Sequence, residues 1–298
     1  MRIAREQVRV RVPATSANLG PGFDALGLAL GVWDDVTVRA VAGPTRVVVE
    51  GEGHGSLPDG EDHLVVRAVR AGLEMAGAPQ AGLELHCRNA VPHGRGMGSS
   101  AAAVVAGLVA ARGLISDQSA LDDDTLLGLA TELEGHPDNA APALLGGATT
   151  SWVDAEGPHA VAIPIAAGLR PTVLVPQETL TTSSARRVLP RQVPFDDAAH
   201  NVARVALLVL ALGGRTDLLL AATEDRLHQD YRADVMRPTA DAVRALRDAG
   251  WPAVVSGAGP SILVLEPLDR ATGDALAAHG WQVLDPGVAP DGAHLIDT

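Results

Sequence analysis

The sequence contains no lysine, because every one of its 23 basic residues is an arginine. This absence excludes a lysine in a phosphate loop, a Schiff-base lysine and a lysine general base. Any phosphate site in this chain must therefore rely on backbone amides, arginine or a metal ion. Aromatic residues are also scarce, with Trp 4, Phe 2 and Tyr 1 among 298 residues. Base-stacking platforms and aromatic cages need more aromatic rings than this.

Cysteine, long apolar runs and net positive charge are missing as well. The single cysteine, Cys87, excludes an internal disulfide and a cysteine-based zinc cluster, and it suits a reducing compartment. The chain has no uninterrupted apolar run of about 18 residues, and its first residues lack the apolar core of a secretory signal. A net charge of -13 disfavours nucleic acid and anionic membranes as partners. We therefore expect a soluble, cytoplasmic protein without nucleic-acid or membrane partners.

The length suits two domains, each with a core of its own. The Pro/Gly-containing stretch 164–171 predicts a boundary near 165, and thus domains 1–165 and 166–298. Pro13 is expected to end the first strand, and Asp62 is expected to cap a helix that Gly77 stops. Strands and helices mix without a regular βαβ alternation, so the patterns favour an α+β fold. They predict strands near 8–12, 36–41, 47–50, 83–87, 149–153, 161–165, 172–175, 254–255 and 262–265. They predict helices near 62–76, 99–112, 122–134 and 238–248, and a helical segment that runs to about 222 with a strongly apolar stretch at 202–212.

The strongest chemical signal is the glycine-rich stretch 92–102. Glycines at 94, 96 and 98 permit backbone angles and close approaches that a Cβ forbids. Ser99 and Ser100 then open a helix of small residues, whose first amides have no acceptor within the helix and can bind an anion. The spacing is neither a Walker A motif nor a Rossmann fingerprint, and an ordinary serine-capped turn remains the alternative. The candidate nucleotide-binding residues are Pro92, His93, Gly94, Arg95, Gly96, Met97, Gly98, Ser99, Ser100, Ala101 and Ala102.

Three further segments carry short polar groups. The loop 13–24 offers Thr15, Ser16, Asn18 and Asp24, which can fix a small ligand or simply form turns. The segment 132–139 combines two glutamates near a helix end with His136, Asp138 and Asn139; it can hold Mg²⁺ and face a polar substrate, or be a solvated helix terminus. The turn 256–261 is uninformative alone.

Together the four segments resemble the motifs of the GHMP small-molecule kinases. The motifs are Pro92 to Ala102, the N-terminal stretch that ends in Asp24, and the later turn 256–261; with 135–139 they look like the homoserine kinase branch. Met97 stands where that family usually has leucine, a change that keeps side-chain volume. The resemblance implies a two-domain α+β fold, in which an N-terminal domain with a left-handed βαβ crossover packs on a ferredoxin-like C-terminal domain.

The resemblance also implies ATP and Mg²⁺ as cofactors, L-homoserine as the small-molecule substrate, and a homodimer. Asn139, Asp138 and Ser99 would lie at the reacting centre, where direct attack by the substrate hydroxyl fits the lack of a lysine. Asn18, Asp24, His136, Thr182, Arg186 and Arg232 would bind the zwitterionic substrate. The two arginines would bind its carboxylate, because a guanidinium fork matches a carboxylate.

The metal ligands would be Ser99 and one of two glutamates. Residues two apart on a helix point about 200° apart, so only one of Glu132 and Glu134 can face the site. We expect Glu132. Two alternatives to the homoserine kinase interpretation stay open: a GHMP kinase for another small alcohol, and a binding protein on the same fold without turnover.

Overall fold

The structure, a computed structural model, describes residues 1–297. In this range the strands are β1 (Gln7–Ala17), β2 (Leu26–Val41), β3 (Arg46–Gly51), β4 (Gly82–Asn89), β5 (Ala148–Asp154), β6 (Gly157–Ile163), β7 (Thr172–Val175), β8 (Ala253–Val255), β9 (Ile262–Val264), β10 (Gln282–Leu284) and β11 (His294–Ile296). The helices are α1 (Leu64–Met75), α2 (Ser99–Leu114), α3 (Asp123–Glu134), α4 (Ala140–Leu145), α5 (Thr182–Arg187), α6 (Phe195–Leu212), α7 (Leu219–Ala222), α8 (Gln229–Arg232), α9 (Arg237–Asp248) and α10 (Arg270–Ala278). Short 3₁₀ turns lie at Gln118–Leu121, Thr216–Leu218 and Ala233–Val235.

The first sheet has the order β11-β1-β2-β4-β3, and β5 pairs with the start of β2 and with β6. Only β3 and β4 pair in parallel, and α1 connects them. Helices α1 to α4 contribute to one core with the valines and leucines of this sheet. Helix α2 can pack closely because its residues are small: a Cβ at Gly107 would overlap the Val65 carbonyl oxygen and the Ala68 side chain.

The second sheet has the order β10-β7-β9-β8, and all its pairs are antiparallel. With helices between β7 and β8 and between β9 and β10, this is the ferredoxin-like βαββαβ arrangement. One face packs against α9 and α10. The other face shares a core with α6, α7 and the β1–β2 hairpin, and this core joins the two halves. The predicted two-domain α+β fold is confirmed.

The structure corrects several sequence-based boundaries. Pro13 does not end β1, which continues to Ala17 through an irregularity in its pairing with β2 between Pro13 and Ala14. A register shift at this point accommodates a residue that has no backbone N–H. His63, rather than Asp62, caps α1 by accepting the Val65 N–H. The first half of β2, helices α4 and α10, and the last two strands are elements that sequence patterning missed.

The predicted division near residue 165 falls between the strands of the two sheets, with one exception. Strand β11 lies at the end of the chain, yet it pairs with β1 in the first sheet. The chain therefore returns to its N-terminal half. Among residues 1–297, no helix has the length and apolarity that crossing a membrane would require.

Candidate active site

A cavity of about 390 Å³ lies between the two halves of the molecule. Its wall takes residues from all four segments that the sequence singled out, and from two stretches of the second half. The lining residues are Ala17, Asn18, Asp24, Gly94, Gly96, Gly98, Ser99, Ser100, Ala101, Leu133, Glu134, His136, Asp138, Asn139, Leu180, Thr181, Thr182, Arg186, Arg232, Gly257, Ala258 and Gly259. The fold thus gathers segments more than 200 residues apart around one space.

The glycine-rich loop, residues 92–100, needs its glycines for backbone reasons. Gly94, Gly96 and Gly98 have φ of +63°, +73° and +66°, a region that side chains with a Cβ rarely adopt. A Cβ at Gly96 would overlap the Ser256 carbonyl oxygen, and one at Gly98 would overlap the Thr15 hydroxyl. The glycines let the loop touch β1 and the turn 256–261.

The residues of stretch 92–102 divide by where they point. Gly94, Gly96 and Gly98, with the first residues of α2, Ser99, Ser100 and Ala101, line the cavity. Met97 and Ala102 are buried in the hydrophobic cores. Arg95 turns away and contacts Glu52 at 3.3 Å and the Gln177 carbonyl oxygen at 3.3 Å. Pro92 is buried and lines neither this cavity nor the smaller one described below.

A buried carboxylate that sequence reasoning missed anchors the entry to this loop. Asp34 of β2 accepts the backbone N–H groups of Ala90 (2.7 Å) and Val91 (2.9 Å), directly before Pro92. Burial raises the pKa of Asp34 from 3.8 to about 6, although the two N–H groups oppose that shift. The sequence shows only two adjacent acidic residues, Asp34 and Asp35, among the mostly apolar residues of β2, and nothing in it tells which of them is buried.

A second, mostly apolar cavity of about 260 Å³ shares Ser99 and Ser100 with the first. His63 and His93 line it, and burial lowers the pKa of each. Because His63 Nδ1 accepts the Val65 N–H at 3.3 Å, its Nε2 carries the proton of the neutral ring. His63 Nε2 and His93 Nδ1 are buried and have no hydrogen-bond partner within residues 1–297.

The two glutamates of α3 point to different places. Glu134 lines the main cavity and accepts a hydrogen bond of 2.5 Å from the Ser100 hydroxyl. Burial raises its pKa, whereas the Ser100 bond opposes the rise. Glu132 is exposed and does not line the cavity, as expected for residues two apart on a helix. Within residues 1–297, no three His, Cys, Asp or Glu side chains cluster as a ready metal site.

A chain of hydrogen bonds runs behind the glycine loop. The Thr15 hydroxyl donates to Asn139 Oδ1 at 2.9 Å, and Asn139 Nδ2 donates to Asp138 Oδ1 at 3.3 Å. The same Asp138 oxygen contacts His136 Nδ1 at 2.6 Å, and this contact raises the pKa of His136. Three of the four side chains, those of residues 136, 138 and 139, line the cavity.

The two arginines that the sequence indicated both reach the cavity. Arg186 forms a bidentate ion pair with Asp24, with N–O distances of 2.6 and 3.1 Å. Arg232 is only 2% exposed and donates to the carbonyl oxygens of Ala185 (3.3 Å) and Gly257 (3.2 Å) and to His228 Nδ1 (3.0 Å). Burial and the neighbouring Arg186 lower the pKa of Arg232.

One aromatic ring lies beneath both guanidinium groups. Their Cζ atoms stand 5.6 Å (Arg186) and 5.5 Å (Arg232) from the centroid of Phe23, within the range of a cation–π contact. The next residue, Arg187, does not line the cavity: it is exposed and donates a hydrogen bond to the Ser184 hydroxyl. Thr182 shares the cavity wall with Arg186, as their spacing of four residues predicts.

Asn18 holds backbone rather than presenting a free amide. Its Nδ2 donates to the Gly257 carbonyl oxygen at 2.8 Å, and its Oδ1 accepts the Asp24 N–H at 3.0 Å. Asn18 and Asp24 both have positive φ, +68° and +57°. The turn 256–261 therefore has a use that the sequence did not reveal: its Gly257 carbonyl fixes both Asn18 and Arg232.

Comparison with known proteins identifies the group to which this site belongs. Residues 63–147 match the family model described as GHMP kinases N terminal domain. The chain is 51% identical over 291 residues to a homoserine kinase of Streptomyces coelicolor, covering 97% of this chain and 94% of that protein. It is 54% identical to a homoserine kinase of Clavibacter michiganensis, covering 95% and 96%. The chain belongs to the homoserine kinase family of GHMP kinases.

The fold agrees with this family. A crystal structure of homoserine kinase from Cytophaga hutchinsonii superimposes with a TM-score of 0.86 at 30% identity, covering 98% of each chain. Family membership and the overall fold were therefore predictable from the motifs. Sequence reasoning named Thr15 as one of several polar loop residues, but it did not single out Phe23, Asp34 or His63, which the structure places at the site.

Proposed function

We propose that this chain transfers the γ-phosphoryl group of ATP to the side-chain hydroxyl of L-homoserine, in threonine biosynthesis. The observation that carries the proposal is the two-ended cavity: free backbone amides at one end, and two arginines with a carboxylate at the other. The first end suits phosphates and the second suits a zwitterionic amino acid. Membership of the homoserine kinase family supports the same assignment.

The nucleotide phosphates would bind the glycine loop and the N-terminus of α2. Helix α2 has 16 residues, and its first amides point out of the helix with the positive end of the dipole. No lysine is available, and Arg95 is engaged with Glu52 on the far side of the loop. We assign the phosphate contacts to the backbone from Gly94 to Ser100. The smaller apolar cavity, which shares Ser99 and Ser100, would take the base.

For Mg²⁺, we propose Glu134 in place of Glu132. Glu134 accepts a hydrogen bond from the Ser100 hydroxyl and faces the cavity, whereas Glu132 faces solvent. One carboxylate suits this ion, because Mg²⁺ is commonly held by one or two carboxylates, substrate phosphates and water. When bound there, Mg²⁺ would neutralise charge on the phosphate oxygens. Ser99 or Ser100 would supply the hydroxyl ligand.

At the other end, we propose that Arg186 and Arg232 bind the carboxylate of the substrate and that Asp24 binds the ammonium group of the substrate. His136 and Thr182 would form the pocket wall. Asn18 would contribute by holding Asp24 and Gly257 in place, because both ends of its amide are already hydrogen-bonded to them.

The chemical step would be direct attack. The substrate hydroxyl oxygen forms a bond to the γ-phosphorus, the bond from that phosphorus to the β-phosphate oxygen breaks, ADP leaves, and the hydroxyl proton passes to phosphate or solvent. Asn139 cannot accept this proton as a base, and its Oδ1 already accepts the Thr15 hydroxyl. Asp138 and Asn139 would position the substrate hydroxyl near Ser99. Phosphoryl transfer depends mainly on positioning and charge neutralisation, which this arrangement can supply.

The test is ADP release by the purified chain with ATP and Mg²⁺, with L-homoserine or a neutral alcohol as acceptor. We expect ADP release that depends on L-homoserine, with a product that carries one added phosphoryl group by mass spectrometry. Equal rates with a neutral alcohol would favour a kinase for another small alcohol. ATP binding without ADP release would instead favour a binding protein without turnover.

We also propose that the chain forms a homodimer through α6. Phe195, Val202 and Leu210 are 85%, 73% and 58% exposed, and Ala199 and Ala206 continue the same face at helical spacing. The 18 residues of α6 span about 27 Å. An antiparallel pairing of two α6 helices about a two-fold axis brings the first turn of one helix to the end of the other. The acidic residues of that first turn, Asp196 and Asp197, then approach the partner's Arg215, which follows the end of α6.

The measurement for this interface is molar mass in solution. We expect a dimer for the parent and a monomer for Val202→Glu, which buries a charge in the interface. Val48→Glu is the control, because Val48 is also exposed (57%) but lies on β3, at the edge of the first sheet, whose core contains no residue of α6. A monomeric parent, or a dimeric Val202→Glu, would refute the interface. We place the protein in the cytoplasm, which supplies ATP and keeps a lone cysteine such as Cys87 reduced.

A further inference from the structure

The ion pair between Arg186 and Asp24 joins the two groups that the proposed function assigns to opposite ends of the substrate. Their contact is bidentate, with distances of 2.6 and 3.1 Å, and the two side chains are 38% and 36% exposed. A pair this open to solvent is only weakly stabilising. It can therefore separate when a better partner arrives for each member.

The neighbouring residues hold the Arg232 side chain and the Asp24 backbone, but they do not hold the Arg186–Asp24 pair itself. Arg232 is bonded to Ala185, Gly257 and His228, so its position is set by the protein. The Asp24 backbone is held by Asn18, while its carboxylate has Arg186 as its only hydrogen-bond partner within residues 1–297. Phe23 gives both guanidinium groups a common apolar floor. What can change in the site is therefore the partner that Arg186 and Asp24 each bind.

We infer that substrate binding exchanges the internal Arg186–Asp24 ion pair for two external ones. This inference rests on the proposed function of the site. The substrate carboxylate takes Arg186, beside Arg232, and the substrate ammonium group takes Asp24. Only a molecule that carries both charges leaves no member of the pair without a partner. The pair itself therefore selects zwitterions and rejects molecules that carry one of the two charges.

The charge balance of the cluster supports the exchange. Arg186, Arg232 and Asp24 together carry one net positive charge, and a zwitterion adds none. After the exchange, the substrate carboxylate lies between two guanidinium groups, and the Asp24 carboxylate has the ammonium group. A molecule with a carboxylate alone would leave Asp24 without a partner, and a molecule with an ammonium group alone would leave Arg186 without one. Because bound substrate excludes water from these groups, a charge that is left without a partner in the complex is costly.

Two alcohols that each lack one charged group of homoserine make the test. The alcohol 4-hydroxybutyrate keeps the carboxylate without the ammonium group, and 3-aminopropan-1-ol keeps the ammonium group without the carboxylate. The variants are Asp24→Asn, because asparagine tolerates the positive φ of this position, and Arg186→Met, which keeps the apolar stem. Asp24→Asn removes the carboxylate that 4-hydroxybutyrate would leave without a partner. Arg186→Met removes the guanidinium group that 3-aminopropan-1-ol would leave without a partner.

For Asp24→Asn we expect kcat/KM to fall at least about 30-fold with L-homoserine and to rise about 10-fold with 4-hydroxybutyrate, following the tenfold change per 1.4 kcal/mol of interaction. For Arg186→Met we expect the mirrored pattern, with a gain for 3-aminopropan-1-ol. The control is Arg187→Met, whose side chain bonds to Ser184 outside the cavity and should leave all three acceptors unchanged. The KM for ATP and the thermal midpoint report whether each variant remains folded.

The outcomes separate this inference from the proposed function. If the parent prefers L-homoserine but Asp24→Asn lowers kcat/KM for L-homoserine and 4-hydroxybutyrate in equal proportion, the exchange is wrong and the function stands. The same holds if neither variant changes its preference. If the parent does not phosphorylate L-homoserine at all, the proposed function fails first.

Discussion

At the glycine-loop end of the cavity, backbone atoms face the space, whereas charged side chains face it at the end formed by Arg186, Arg232 and Asp24. Gly94, Gly96 and Gly98 form the first end, and their positive φ values set which way the backbone amides point. Arg186, Arg232 and Asp24 form the second end, and the charge of each matters there. Substitutions at the two ends should therefore act in different ways. At the glycine end they cause atomic overlap and backbone strain, whereas at the other end they remove a charge or leave one without a partner.

The largest effect is expected from Gly98→Ala. Alanine at positive φ costs about 1–2 kcal/mol, and overlap with the Thr15 hydroxyl adds about 1–3 kcal/mol. We expect ADP release to be abolished and the unfolding free energy, from urea denaturation, to fall by the sum. Gly94→Ala is the matched control, since it has the same φ problem while its Cβ meets Thr179 at an ordinary 3.5 Å. Equal stability losses for the two variants would show that the overlap is absent.

The next effect concerns Arg232→Met, at the side-chain end. Removing one member of a buried, hydrogen-bonded charge arrangement costs about 2–5 kcal/mol, which corresponds to at least about 30-fold in kcat/KM for L-homoserine. Arg232→Lys should not restore activity, because an ammonium group cannot reach Ala185, Gly257 and His228 together. Arg226→Met, at an arginine that is 52% exposed, is the control. Recovery by lysine would mean that only net charge matters at this end.

A pH dependence of stability tests how the backbone end is anchored. The folded-state pKa of Asp34 is about 6 against 3.8 in its ordinary state, so the folded protein holds this proton more tightly. The contribution of Asp34 to the unfolding free energy should therefore fall by about 3 kcal/mol as pH rises from about 3 to 7. Asp34→Asn keeps an acceptor for Ala90 and Val91 and should lack this fall. Parallel stability curves for the parent and the variant would contradict a buried, titrating Asp34.

A smaller effect distinguishes the two glutamates of α3. Glu134→Gln should lower turnover by about tenfold or more and raise the Mg²⁺ concentration needed for half-maximal rate, since a neutral amide binds this ion less well. Glu132→Gln should be nearly silent, because Glu132 faces solvent. Two silent variants would remove the metal role from this segment.

Much of the fold, and the segments that line the candidate site, could be predicted from sequence, because the signals were local. Gly98 followed by Ser99 marks a loop that opens a helix, and α2 begins at Ser99. The four-residue spacing of Thr182 and Arg186 placed both on one wall, with Arg187 turned away. The same motifs indicated the family and hence the two-domain arrangement.

What the sequence could not supply were contacts between distant residues. Nothing local to Asp34 shows that it accepts amides of residues 90 and 91, and nothing local to Gly98 shows that its missing Cβ would meet Thr15 rather than a phosphate. The pairing of Arg186 with Asp24 joins residues 162 apart. The choice between Glu132 and Glu134 depended on the rotation of α3 about its axis, which its packing decides. These facts require the assembled fold.

The claim that the two ends of the cavity bind their ligands independently is tested most directly by calorimetry. The affinities for ATP and for L-homoserine are measured separately for one variant at each end. We expect Gly94→Ala to weaken ATP binding by about fivefold, through about 1 kcal/mol of backbone strain, and to leave L-homoserine affinity within about twofold. Arg232→Met should weaken L-homoserine binding by at least about 30-fold and leave ATP affinity within about twofold. If each variant weakens both ligands equally, the cavity does not have two independent ends, and its division into a backbone-built and a side-chain-built half is wrong.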